Sequence, residues 1–320
     1  MGAHLVDRLV ADGNRVRVLD RVPIDLRLRW QGAATVEDLA GDFVDLSAID
    51  AAVKEIDVAY HLVSTTIPAT SNVDPVFDVQ SNLIGTLSFL KSAHAAGVKK
   101  VIFVSSGGTV YGNAPSQPIK ETDPTNPICS YGITKLAIEK YLALYEYLHG
   151  LRFTVFRVAN AFGEKQRPGP QGVISAFIQK ALKGVPLEVW GDGSVVRDYV
   201  YVHDVVDALV RGSEYEGPCR IFNVGSGTGR SLNEVVEALR LITGEPIECI
   251  YKASRPVDVA RSVLDISLIK QELAWLPRVN FLTALAKTWD WFQKHQDSQI
   301  SFLERHEPGP PTRSGSRGSR

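Results

Sequence analysis

KVIFVSSGGTVYGNAPSQPIKETDPTNPICSYGITKLAIEKYLALYEYLHGLRFTVFRVAN, residues 100–160, decides the fold. KVIFVSS at 100–106 and FTVFRVAN at 153–160 are short runs rich in β-branched and aromatic residues, and a helical stretch around 130–149 lies between them. Towards the N-terminus, DVAYHLV at 57–63 repeats the strand pattern and a second helical stretch spans about 76–96. Nearer the start, Ala3, Leu5, Val6, Leu9 and Val10 recur at helical spacing until Asp12-Gly13. Val16, Val18 and Leu19 then make an extended run ending at Asp20, so the chain opens inside a helix. Strands alternating with helices predict an α/β protein with a doubly wound parallel sheet covered on both faces.

After Asn160 the pattern changes to a Gly/Pro loop (GEKQRPGPQG), a helix near 173–183, a strand-like LEVW and the stretch VRDYVYVHDVVDALV. The expected division is a main domain over 1–160 and a smaller α/β substrate lobe over 161–300. Residues 198–225 return to the main domain, because IFNVGSG at 221–227 reads as a strand feeding a glycine turn. The tail 301–320, ending PGPPTRSGSRGSR, reads as disordered on composition.

Lys and Arg (35) nearly balance Asp and Glu (36), so no field gathers nucleic acid or an anionic membrane, and neither partner is expected. Three scattered cysteines without a CxxC suggest neither a disulfide framework nor a thiolate zinc site, and a cytoplasmic setting is expected.

Chemistry concentrates in Tyr131-Gly132-Ile133-Thr134-Lys135. Residues four apart share a helix face, so the ammonium can lie beside the phenol and lower its pKa from about 10 by roughly 3 units, making Tyr131 a usable base. FVSSGGTVYG, then PTNP, then SYGITKLAIEKY closely resembles the segment in which extended short-chain dehydrogenases/reductases carry their catalytic Ser/Thr, Tyr and Lys. Within that family the resemblance is to NAD-dependent sugar-nucleotide epimerases, with a Rossmann-like sheet. One departure stands out: relatives place the catalytic hydroxyl five positions before the Gly of VYG, which here is Gly107. The resemblance therefore points to Ser106, or else Thr109, or a water; Ser105 and Ser106 also read as strand-end serines.

The same resemblance implies cofactor contacts for Gly2 (last glycine of the family's loop), Asp20, Arg21, Asp42, Phe43, Leu62, Val63, Ser64, Asn82, Ser105, Tyr131 and Lys135. Asp20 would hold the adenosine ribose and favour NAD over NADP. Asn82 would steady the strand bearing the serines, while His61 by itself reads as a core histidine. The loop's other glycines and the strand before them have no counterpart. A central strand buried on both faces would take with it burial comparable to a domain's stability, so the expectation is a late start or a fragment.

In the second lobe the resemblance gives Asn160, Arg197 and Arg255 as contacts to a nucleotide-diphosphate sugar, Asp258 near the nucleoside ribose, and Val189 on the substrate side; Trp190 and Tyr199 read either as core aromatics or as the lining of the nucleobase slot, with Tyr199 counted among the substrate contacts. It implies epimerisation at C4 of a UDP-sugar through a 4-keto intermediate, in a homodimer built on helices near 76–96 and 130–149. Dehydration is disfavoured, because the Asp-Glu pair of dehydratases is replaced by Gly108 and Thr109. An inactive or regulatory nucleotide-binding member is the first alternative, and a nucleotide-sugar reductase or dehydratase the second.

Overall fold

The computed structural model describes residues 1–21, 35–166, 172–254 and 259–295. Arg255, Asp258 and the tail from 296 lie outside the described residues. At the centre is a parallel sheet in which β3 (Val58–His61), β4 (Lys100–Ser106), β5 (Arg152–Val158) and β9 (Ile221–Val224) are neighbours in that order. In β4 the side chains alternate between two cores. Val101 and Phe103 face the layer made by α2 (Leu46–Val53), α5 (Gly85–Ala95) and α6 (Ser130–His149). Ile102 faces α1 (Gly2–Ala11), α8 (Val202–Glu214) and α10 (Ser267–Leu273). An unbroken apolar run such as VIFV is what a strand buried on both faces requires.

Caps in the local sequence start several of these helices. Asp45 accepts from Ser47 N at the head of α2, and Asn280 accepts from Thr283 N at the head of α11 (Phe281–Lys294). Ser231 and Glu234 form a reciprocal capping box on α9 (Leu232–Thr243).

β1 (Val16–Asp20) and β2 (Val36–Ala40) form a separate parallel pair. Among the described residues no ladder joins β1 to β3. A cavity of about 2660 Å³ runs between them, lined by Val16–Asp20 on one side and Val58–His61 on the other, and continues past the C-terminal ends of β3 and β4 into the second lobe.

The helix expected over 76–96 is interrupted. After α3 (Pro68–Ser71) come α4 (Pro75–Asp78), a π-helical turn over Val79–Ile84, and then α5. Ser81 and Thr86 donate their hydroxyls to the Phe77 and Asn82 carbonyls around this turn, hydrogen bonds that compete with the regular helical ladder. The run expected to continue as strand to Asn160 breaks at Ala159, because β6 (Asn160–Phe162) leaves the main sheet and pairs with β8 (Val196–Tyr201). β8 also pairs with β10 (Gly229–Ser231) and β12 (Arg261–Ser262). The second lobe packs α7 (Val173–Leu182), α9 and α11 around β7 (Leu187–Trp190) and β8, with β11 (Cys249–Lys252) beside β7. No described helix is long and apolar enough to cross a membrane, and the three cysteines are free.

Candidate active site

Tyr131 and Lys135 stand in the first turns of α6, on the cavity wall. That helix start is held by the buried carboxylate of Asp78, which accepts from the Ser130 and Thr134 hydroxyls at 2.7 and 2.8 Å. Ser71 Oγ accepts from Tyr131 N, and Asn72 accepts from Ser130 N. An acid at a helix N-terminus is favoured by the dipole, and here it also fixes the turn that carries the phenol. Asp78 takes further hydrogen bonds from Thr66 and from Asn82 Nδ2.

Lys135 Nζ lies 5.6 Å from the Tyr131 ring centre, donates to the Val104 carbonyl at 3.0 Å and sits 4.8 Å over Phe103. Burial pulls the ammonium down to about 8, against the carboxylates of Asp78 and Glu139. Burial also pushes the Tyr131 phenol up to about 12, with a Ser64 hydroxyl contact working the other way. The expected lowering of the phenol is not seen: burial dominates, and Cys129 and Asp78 add to it.

Gly107 is dictated by packing. A Cβ there would stand 2.5 Å from Leu264 Cδ1 and 2.9 Å from the Arg157 carbonyl oxygen, so a serine or threonine cannot occupy the position without shifting β5. Ser106 and Thr109 both line the cavity, and Thr109 Oγ1 is buried with no hydrogen-bond partner among the described residues. Ser105 also touches the cavity, but its hydroxyl is committed to Glu139, which pairs with Arg157 at 2.6 Å. Buried on both sides, that ion pair pins α6 to β5. Neither Glu139 nor Arg157 was singled out from sequence, since each takes its meaning from the other.

The cavity wall also gathers Gly2, Asp20, Phe43, Leu62, Val63, Ser64, Asn160, Arg197 and Tyr199. Tyr199 Oη is buried without a partner among the described residues, and burial pushes this phenol up to about 12. Arg197 spends part of its guanidinium on the Val196 and Val259 carbonyls, and Asn160 donates to the Asp198 carbonyl.

Four expected site residues are not on this wall. Arg21 is exposed. The Asp42 carboxylate turns back to accept from Val44 N, leaving Phe43 on the wall. Asn82 braces Thr65 and Thr66 in the loop after β3, rather than the serine-bearing β4. Val189 is fully buried in the second-lobe core, and because strand neighbours alternate faces, Trp190 meets the cavity instead. His61 is a core residue: its Nε2 meets Thr86 Oγ1 at 2.8 Å among Phe43, Phe89 and Phe103, and burial lowers it to about 3.

The model of the NAD-dependent epimerase/dehydratase family matches residues 1–225, a span containing both lysine and tyrosine and most of the cavity wall. The chain belongs to this family. It is 36% identical over 300 residues to the UDP-glucose 4-epimerase of Mycolicibacterium smegmatis, covering 92% of this chain and 95% of that one. Among solved structures it resembles the Thermotoga maritima UDP-glucose 4-epimerase with UDP-glucose, at TM-score 0.87 and 35% identity over 92% of this chain and 96% of the other. It also resembles the Thermus thermophilus UDP-glucose 4-epimerase complex with NAD, at TM-score 0.83 and 34% identity over 91% and 95%.

The residues present fit the family's cofactor. The first turn of α1 carries no side-chain cap and borders the cavity, so its N–H groups can meet a pyrophosphate. Asp20 closes β1 on the same wall, where a carboxylate suits ribose hydroxyls and repels a 2′-phosphate. Gly2 is less constrained: a Cβ there would meet only Leu62, at an ordinary 3.7 Å.

Proposed function

We propose that this family member is a UDP-hexose 4-epimerase, with Tyr131 as the group that takes and returns the proton of the sugar's 4-hydroxyl. The supporting observation is one wall carrying the half-buried Tyr131 and buried Lys135 together with two hydroxyls, Thr109 Oγ1 and Tyr199 Oη, that have no partner among the described residues. Bound NAD would supply the hydride acceptor and a fixed positive charge. Lys135 favours the phenolate, and Ser106 holds the reacting oxygen in the role that Gly107 cannot fill, with Thr109 next to it. Arg197, Asn160 and Tyr199 take the diphosphate and nucleoside side.

The proposal includes a homodimer. Ile133, Tyr141, Leu144 and Leu148 make an exposed apolar stripe along α6, and Val76, Phe77, Val79 and Ile84 are exposed on the adjoining α4 and π-helical turn. A patch of this kind on two packed helices suits a twofold partner.

The test is an assay of the purified chain with added NAD on UDP-glucose, UDP-galactose and their N-acetyl forms. Tyr131→Phe should lower kcat by about 10²–10⁴ and leave KM within a few-fold. Full activity in that variant, or no isomerisation of any of the four by the wild type, would defeat the reading.

A further inference from the structure

Away from Tyr131 and Lys135, three elements bring metal-ligating side chains together: His4 from α1, Glu164 from the loop after β6, and His203 from the first turn of α8. One donor atom from each lies within 4.8 Å of the others. The His4 and His203 rings meet edge to face at 4.4 Å, and His203 Nε2 is 3.9 Å from Glu164 Oε2. The Tyr201 hydroxyl donates to the Glu164 carboxylate at 2.7 and 2.9 Å, orienting it as the outer partner of a ligating carboxylate would.

His4 carries the argument furthest. It is 3% exposed, with Nε2 placed 2.9 Å from the Glu164 carbonyl oxygen, and Nδ1 has no hydrogen-bond partner among the described residues. Donation from Nε2–H to that carbonyl leaves a lone pair on the other ring nitrogen, the tautomer a metal-binding imidazole needs. Burial, the largest influence, lowers this imidazole. A Glu164–His203 ion pair alone gives no reason to bury a third imidazole with an unsatisfied nitrogen.

We propose that His4, Glu164 and His203 form a binding site for a divalent transition-metal ion of the zinc class, with solvent completing the shell. Bonds of about 2.0–2.1 Å place tetrahedral donors roughly 3.4 Å apart, so the site must close slightly. His203 is exposed and its ring can supply that movement. The ion would clamp α1 to α8 and to the loop following β6, three segments far apart in sequence.

The full-length chain, stripped with a chelator, is titrated with cobalt(II) alone. The expected result is visible d–d absorption saturating at one ion per chain, displaced by zinc, with zinc raising the thermal midpoint by about 5 °C. His203→Asn, at an exposed position, should keep the metal-free midpoint and abolish both signals. Glu164→Gln, which keeps an acceptor for Tyr201, should weaken cobalt binding at least tenfold. Absence of saturable absorption in the wild type overturns the proposal, as does absorption that survives in both variants.

Discussion

Gly107 carries more information than its lack of a side chain suggests. Family resemblance calls for a hydroxyl there, yet the Arg157 carbonyl oxygen would stand 2.9 Å from any Cβ. Gly107→Ser should therefore lose about 1–3 kcal/mol of stability in urea titration and gain no kcat. Ser106→Ala should cost about 10²–10³ in kcat, with a smaller loss in Thr109→Val. Lys135 presents the opposite trade. Its folded pKa of about 8 lies below the ordinary lysine value of about 10.5, so the buried ammonium costs stability at every pH below about 8, and that cost is relieved as pH rises from about 8 towards about 10.5. Lys135→Met should abolish turnover while raising stability at pH 7 by about 1–3 kcal/mol, the advantage shrinking above pH 8 in thermal melts run across that range.

At the scale of elements, the strands of the main sheet were readable because central parallel strands must be mostly apolar on both faces, and 57–63, 100–106 and 153–158 carry runs of that kind, such as VIFV. The π-helical turn at Val79–Ile84 was not readable, since the hydroxyl-to-carbonyl bonds of Ser81 and Thr86 that accompany it leave no mark on an amphipathic pattern. The Tyr131/Lys135 pair could be found because its spacing is local. Asp78 and Glu164 could not, because each acquires its role from distant partners: Glu164 meets His4 across 160 positions, and Asp78 meets Thr134 across 56. Val189, expected at the site, lies one register step from the wall, while its neighbour Trp190, which the sequence left undecided, is on it. The α6 stripe belongs to this scale too. Leu144→Lys combined with Leu148→Lys should convert a dimer to a monomer in size-exclusion chromatography with light scattering, while the isolated subunit keeps its far-UV circular dichroism.

Over the whole molecule, the cavity joins two jobs: one end is bounded by α1, Asp20 and Phe43, the other by Asn160, Arg197 and Tyr199, and Tyr131 with Lys135 stands on the same wall. The β1–β2 pair meets the rest of the molecule through α1 and α2, with Arg17 donating to the Ala51, Ala52 and Lys54 carbonyls at the end of α2, and has no ladder to β3 among the described residues. Opening of this pair is therefore expected to take less free energy than unfolding of β3, β4, β5 and β9. Native-state amide exchange should report two tiers: Val18 and Leu19 exchanging through low-energy local opening, and Ile102 and Phe156 only through global unfolding. A dinucleotide spanning Asp20 and Lys135 would bridge the tiers, so NAD binding should slow exchange in β1 and, because it stabilises the native state as a whole, in β4 as well.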